Sequence, residues 1–154
     1  MSDGNIEKLD EYEAPDQLVS QLIAMYAAGL IEETAEALYG IDVSGLPADA
    51  LEKLMEIKEL SFRQTAQENY NSGALDYNYQ RYDDAKVKLG KVLKFADPDV
   101  NFMPDVIYLL GLIAEQHDDD KDVAIRYYQM IVTNYPNSNN FRSAIEGIRR
   151  LSFD

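Results

Sequence analysis

Apolar positions recur at helical spacing along almost the whole chain, and glycine and proline punctuate them. Pro15 can open a first helix with Asp16 in its first turn. Leu18, Leu22, Met25 and Tyr26 then form a stripe that Val19 and Ile23 widen, and Gly29 stops it. A second helix runs from about Leu30 to Tyr39, burying Leu30, Thr34, Ala37 and Leu38, and Gly40 ends it. Residues 14–46 thus read as a helical hairpin, which can also be taken as a degenerate first repeat, with 41–46 a connector. Pro47 opens the longest helical text, whose apolar face is Leu51, Leu54, Met55, Leu60, Phe62, Ala66 and Tyr70. Gly73 alone interrupts it before Gln80, and we read it as one continuous helix spanning roughly 50 Å. Four more helices follow. The first starts at Tyr82 and buries Ala85, Leu89, Val92 and Leu93, with Lys86, Lys88, Lys91 and Lys94 on its solvated side. The next starts at Pro104 and is apolar nearly all round, as a helix between neighbours is. The third starts near Asp122 and buries Ala124, Ile125, Tyr128, Ile131 and Val132. The last, over 140–152, is capped by Ser138 or Asn139, with Arg149 and Arg150 on an exposed polar back. The pattern predicts an all-α chain of about seven helices.

A longer period lies over the helical one. Gly73, Gly111 and Gly147 stand 38 and 36 residues apart. Ala85 and Ala124 follow their glycines by 12 and 13 residues, Leu89 and Tyr128 follow the alanines by four, and Pro98 and Pro136 close the units. Such a period marks stacked helix pairs. These residues resemble the tetratricopeptide repeat family, whose units carry a glycine in the first helix, an alanine in the second, a bulky residue four later and a closing proline. The resemblance covers about residues 66–151, and the closing text AIRYYQMIVTNYPNSNNFRSAIEGIRRL is similar to repeats of bacterial envelope-associated members. Trp is missing from the first helices, and the second turn carries one extra residue. The resemblance implies an α-α superhelix of antiparallel helix pairs over 47–154, with the last helix as a cap.

It also implies a groove lined by the first helix of each pair. Carried over on Gly73 and Gly111, the groove positions are Gln67, Tyr70, Ala74, Tyr77 and Asn78, then Asp105, Tyr108, Leu112, Glu115 and Gln116. Tyr70 and Tyr108 read equally well as inter-helix packing. Lys and Arg are absent from the set, which argues against clamping of a terminal carboxylate, and Asp105 and Glu115 favour a neutral or basic peptide or protein.

Composition narrows the rest. The chain has 154 residues, with Lys plus Arg 14 against Asp plus Glu 28, and a net charge of -14. Residues 1–64 hold 14 acids and 4 bases, a balance of -10. Such a surface repels nucleic acid and anionic membranes. The acidic residues 1–13 read as disordered. There is no Cys, so thiol chemistry and thiolate-bound metal are excluded. His117 is the single histidine, read as a polar helix end, and Asp118, Asp119, Asp120 and Asp122 lack the ligand order of a calcium loop. No catalytic motif, metal site or cofactor is expected. The function expected is a non-catalytic interaction module within a larger assembly, the alternative a self-associating structural spacer. Location is open: cytoplasmic, or extracytoplasmic if the chain is a fragment of an anchored protein.

Overall fold

The computed structural model describes residues 15–153, and the expectation for residues 1–13 lies outside them. Seven helices and no strand are found among the described residues: α1 Pro15–Ala27, α2 Ile31–Leu38, α3 Ala48–Asn78, α4 Tyr82–Phe95, α5 Met103–Gln116, α6 Lys121–Asn134 and α7 Phe141–Ser152. The fold is all-α and of the helical-repeat kind. The chain divides into two compact units, Met1–Thr65 and Ala66–Asp154, and α3 contributes to both.

In the first unit α1 and α2 form a helical hairpin. Gly29 takes φ +84°, a conformation that costs an L side chain about 1–2 kcal/mol. It lets the Leu30 amide bond back to the Met25 carbonyl at 3.0 Å and so closes α1. The hairpin alone cannot bury its apolar stripe; the first turns of α3 complete the core. Leu18, Leu22, Met25, Leu38, Leu54 and Ile57 meet there.

Continuity of α3 is as the pattern predicts, but its buried face differs from the apolar set. The seam runs Ala50, Leu54, Ile57, Ser61, Thr65, Asn69, Gly73 and Asp76, at steps of three and four, and all eight are buried. Met55 is 39% exposed, and Leu51, Leu60, Phe62 and Tyr70 are half-buried. The seam carries small and polar residues as well as apolar ones, so hydropathy alone misplaces it by part of a turn.

In the second unit the glycine period has a steric cause. A Cβ at Gly73 would lie 3.0 Å from Leu89 Cδ2, and one at Gly111 would lie 2.6 Å from Tyr128 Cε1. Each bulky residue of a second helix packs on the bare backbone of the first. Gly147 of α7 receives the opposite edge of the same ring, 2.7 Å from Tyr128 Cε2 to its would-be Cβ. Ala85, Leu89, Ala124 and Tyr128 are fully buried. The two turns differ by the extra residue: the Arg81 amide bonds to the Asp76 carbonyl, five back, and the Asp120 amide bonds to the Ala114 carbonyl, six back. Gln80 and Asp119 adopt positive φ there, 62° and 51°.

Three smaller expectations are corrected. The lysine side of α4 is not simply solvated, because Lys88 Nζ donates to Asp76 Oδ2 at 2.6 Å and to Ser72 Oγ at 2.7 Å, while Lys86 pairs with Asp118 at 2.9 Å. Arg150 does not stay on an open back but folds onto Glu115. The N-cap of α7 is Asn140, not Ser138 or Asn139, and its side chain makes no cap bond. It donates to Asp105 Oδ1 at 2.6 Å instead.

Candidate protein-interaction face

The first helices of successive units are cross-linked at the length of the repeat. Tyr70 OH of α3 donates to Asp105 Oδ2 of α5 at 3.4 Å, 35 residues on. Asn140, at the start of α7, donates to the other oxygen of Asp105, again 35 residues on. Asp105 is thus a bridge between three elements, and both of these donors are neutral. Tyr70 is held in place by its ring as well, stacked on Phe102 with centroids 4.6 Å apart and planes 14° from parallel. Burial, then the Asp105 charge, raises the Tyr70 phenol above its ordinary value, so it stays a donor at neutral pH.

A second link lies on Glu115. Tyr128 OH donates to Glu115 Oε1 at 2.7 Å, while Arg150 Nε and Nη2 reach Oε2 and Oε1 at 3.0 and 2.8 Å. Burial pushes the Glu115 carboxyl up, but the Arg150 and Tyr128 hydrogen bonds outweigh it and the net shift is downward. The two-pronged guanidinium contact is the strong form of such a pair. The Glu115 side chain is only 15% exposed, and its charge is compensated inside the protein.

The groove positions read from the sequence therefore separate by role. Tyr70, Asp105 and Glu115 make inter-helix bonds. Tyr108 is half-buried and packs against Tyr128, with ring centroids 5.8 Å apart. Tyr77 is half-buried and meets Tyr82 edge-on at 5.5 Å. Burial, then Tyr82 and Tyr108, raises the Tyr77 phenol. Gln67, Asn78 and Gln116 are exposed, and Gln67 bonds to Asn71 one turn along α3 at 3.1 Å. Ala74 and Leu112 are half-buried. Arg150, Asn140 and Phe102 belong to the same arrangement and were missed. The signal for two of them was present: Asn140 and Arg150 stand one period after the carboxylates they serve.

His117 ends α5, its Nε2 3.2 Å from Asp83 Oδ1 and 3.9 Å from Asp118 Oδ1, and its ring lies 5.1 Å from that of Tyr82. The three residues are exposed, and the Lys86 ammonium already occupies Asp118. The arrangement joins the end of α5 to the first turn of α4.

Helix pairs repeating at about one period, with a small residue under each bulky one, define a helical-repeat protein. Residues 105–138 match the family model of the tetratricopeptide repeat, and the chain carries a tetratricopeptide repeat there. No curated protein and no solved structure matches the chain. Tetratricopeptide repeats are in general protein-interaction scaffolds without catalysis of their own. Among the described residues no helix is long and apolar enough to cross a membrane.

Proposed function

We propose that the chain is a non-catalytic interaction module and that the side of the repeat carrying Tyr77 and Tyr108 takes a peptide or protein partner within a larger assembly. The observation that supports this is a half-buried tyrosine on each of α3 and α5, with exposed amides on the same two helices. Tyr77, Tyr108, Asn78, Gln67 and Gln116 offer apolar area and hydrogen-bonding groups that the fold leaves accessible. Tyr is suited to anchoring because it brings a large surface with few rotatable bonds. Glu115 contributes no charge selection in this reading, since Arg150 neutralises it; Asp105 does, because Tyr70 and Asn140, which donate to it, are neutral. A neutral or basic segment fits, and the net charge of -14 speeds its approach at low salt. The test is Tyr77→Ala against a partner identified by affinity capture and mass spectrometry. The variant should lose about 2 kcal/mol of affinity. Its melting temperature should fall, because Tyr77 also packs on the core, and circular dichroism checks that it is folded. Unchanged affinity of the folded variant rejects this side as the binding surface.

A further inference from the structure

The first unit holds an open cleft that the repeat face does not use. Its walls are α1 and the first half of α3, and residue numbers rise together along both, so the walls run parallel. One cavity of about 300 Å³ is lined by Ile23, Tyr26, Lys53, Glu56, Ile57 and Leu60. A second, of about 190 Å³, shares Ile23 and Lys53 and extends the cleft to Ser20 and Asp49. The floor is core: Ile57 is 8% exposed and packs with Leu22 and Leu54. Ile23 is left 39% exposed over it. Tyr26, on the wall, reaches across from α1 to donate to Gln64 Oε1 of α3 at 3.0 Å.

We propose that this cleft docks a basic amphipathic segment of a partner protein, which seats one bulky apolar side chain between Ile23 and Ile57. Size and charge point to that occupant. The larger cavity sits at the lower end of the about 300–1,000 Å³ typical of ligand pockets, room for one large side chain. Apolar anchors set into a groove between helices are a recurrent mode of helix recognition. The rim is acidic: Asp49 and Glu56 line it against the single Lys53, within a stretch, residues 1–64, with a balance of 14 acids to 4 bases. That rim repels anionic lipid headgroups and attracts Lys and Arg beside the anchor. The site shares no residue with the Tyr77–Tyr108 side and does not depend on it.

The test uses a fluorescein-labelled amphipathic peptide of leucine and lysine, its leucines at helical spacing, titrated into the whole chain. Amide shift changes should centre on Ile23, Lys53 and Ile57. The decisive variant is Ile23→Asp. If the peptide were held by charge alone, one more carboxylate would tighten binding; if it is anchored in the cleft, binding weakens about tenfold or more. Ile23→Ala should weaken it less, in the same direction, with no new charge. Met55→Asp is the control, since Met55 is also 39% exposed but lines neither cavity, and it should leave affinity equal or slightly higher. Circular dichroism confirms that each variant is folded. Equal or tighter binding by Ile23→Asp, or shift changes centred on Tyr77 and Tyr108, overturns the proposal. The second outcome would leave the repeat-side reading standing.

Discussion

Two seams in the second unit use one device in different ways. In the α3/α4 seam Gly73 faces Leu89, and a would-be Cβ lies 3.0 Å from both Cδ2 and Cγ of that side chain and 3.3 Å from Lys88 Cβ. In the α5/α6 seam Gly111 faces Tyr128, and α7 closes on the far edge of the ring with Gly147. Leucine needs no polar partner, so the buried carboxylate beside the first seam, Asp76, with a side chain 6% exposed, is served by Lys88 and Arg81. Tyrosine brings a hydroxyl that must be satisfied, and Glu115 accepts it while Arg150 locks Glu115 from α7. The larger residue thus ties in a third helix through a polar link, whereas Leu89 shares an apolar core with Val106, Leu110 and Ile113 of α5. A buried polar group forces the choice of its neighbours in a way a methyl group does not.

The sharpest way to break this contrast is to fill the glycines. Gly111→Ala drives a methyl group into a ring held on one edge by Gly147 and at its hydroxyl by Glu115, so the ring cannot yield. It should cost about 3 kcal/mol, the upper part of the overpacking range. Gly73→Ala meets a fully buried leucine and Lys88 Cβ, but at longer distances than the Tyr128 ring. The helix-propensity gain of about 1 kcal/mol offsets part of the contact, so the variant should cost about 1 kcal/mol, less than Gly111→Ala. Urea denaturation of both variants decides it, and equal costs would mean that the two seams are alike.

Removing the hydroxyl comes next. Tyr128→Phe gives up a hydrogen bond to a charged acceptor and should cost about 2 kcal/mol. It should also separate the seams by pH. Burial, then the Glu115 hydrogen bond, raises the Tyr128 phenol above its ordinary 10.0. That contribution is fully present below pH 10.0 and is lost as the pH rises toward the folded value. The Lys88 hydrogen bond, then that of Arg81, holds the Asp76 carboxyl below its ordinary 3.8, and the Glu115 carboxyl is also held below its ordinary value. Those contributions are present above the ordinary carboxylate values and are lost as the pH falls through the folded ones. Melting temperature against pH should therefore show an alkaline decline that Tyr128→Phe flattens and Asp76→Asn leaves in place. An alkaline limb unchanged in Tyr128→Phe would place its origin elsewhere.

The smallest effect has the opposite sign. Gly90 lies in α4, and nothing comes within 4 Å of its would-be Cβ. Gly90→Ala should stabilise by about 0.5–1 kcal/mol, since it removes chain entropy without a clash. A loss in a thermal melt would show that a glycine in this fold needs no facing side chain to be required.

What was legible in the sequence follows from what each residue has to do. Gly73, Gly111, Leu89 and Tyr128 could be paired by spacing because their fit is steric and repeats with the fold. Gly29 and Gly40 could be read as stops because both take positive φ. The face of α3 could not be read from apolar residues, because Ser61, Thr65, Asn69 and Asp76 are polar yet buried, and hydropathy scores them as surface. Lys88 and Arg150 looked solvated for the same reason: a long side chain can carry its charge to a carboxylate on another helix. The cleft at Ile23 was invisible, since Ile23 looks like any member of an apolar stripe. For the candidate groove, spacing proposed positions but could not tell Glu115, committed to Arg150, from Tyr77, which meets Tyr82 through its ring.

The period-long bonds also bear on how the chain finds its structure. Lys86 reaches Asp118, 32 residues on; Tyr70 reaches Asp105, 35 on; Tyr135 reaches the Pro98 carbonyl, 37 back; Tyr26 reaches Gln64, 38 on. Each of these links closes a loop of nearly the same length, and the entropy of closure grows only as the logarithm of that length. Such contacts keep the mean sequence separation low, the regime in which helical chains fold in about microseconds to milliseconds. Adding one more unit to a chain built this way lengthens the molecule without lengthening its longest search.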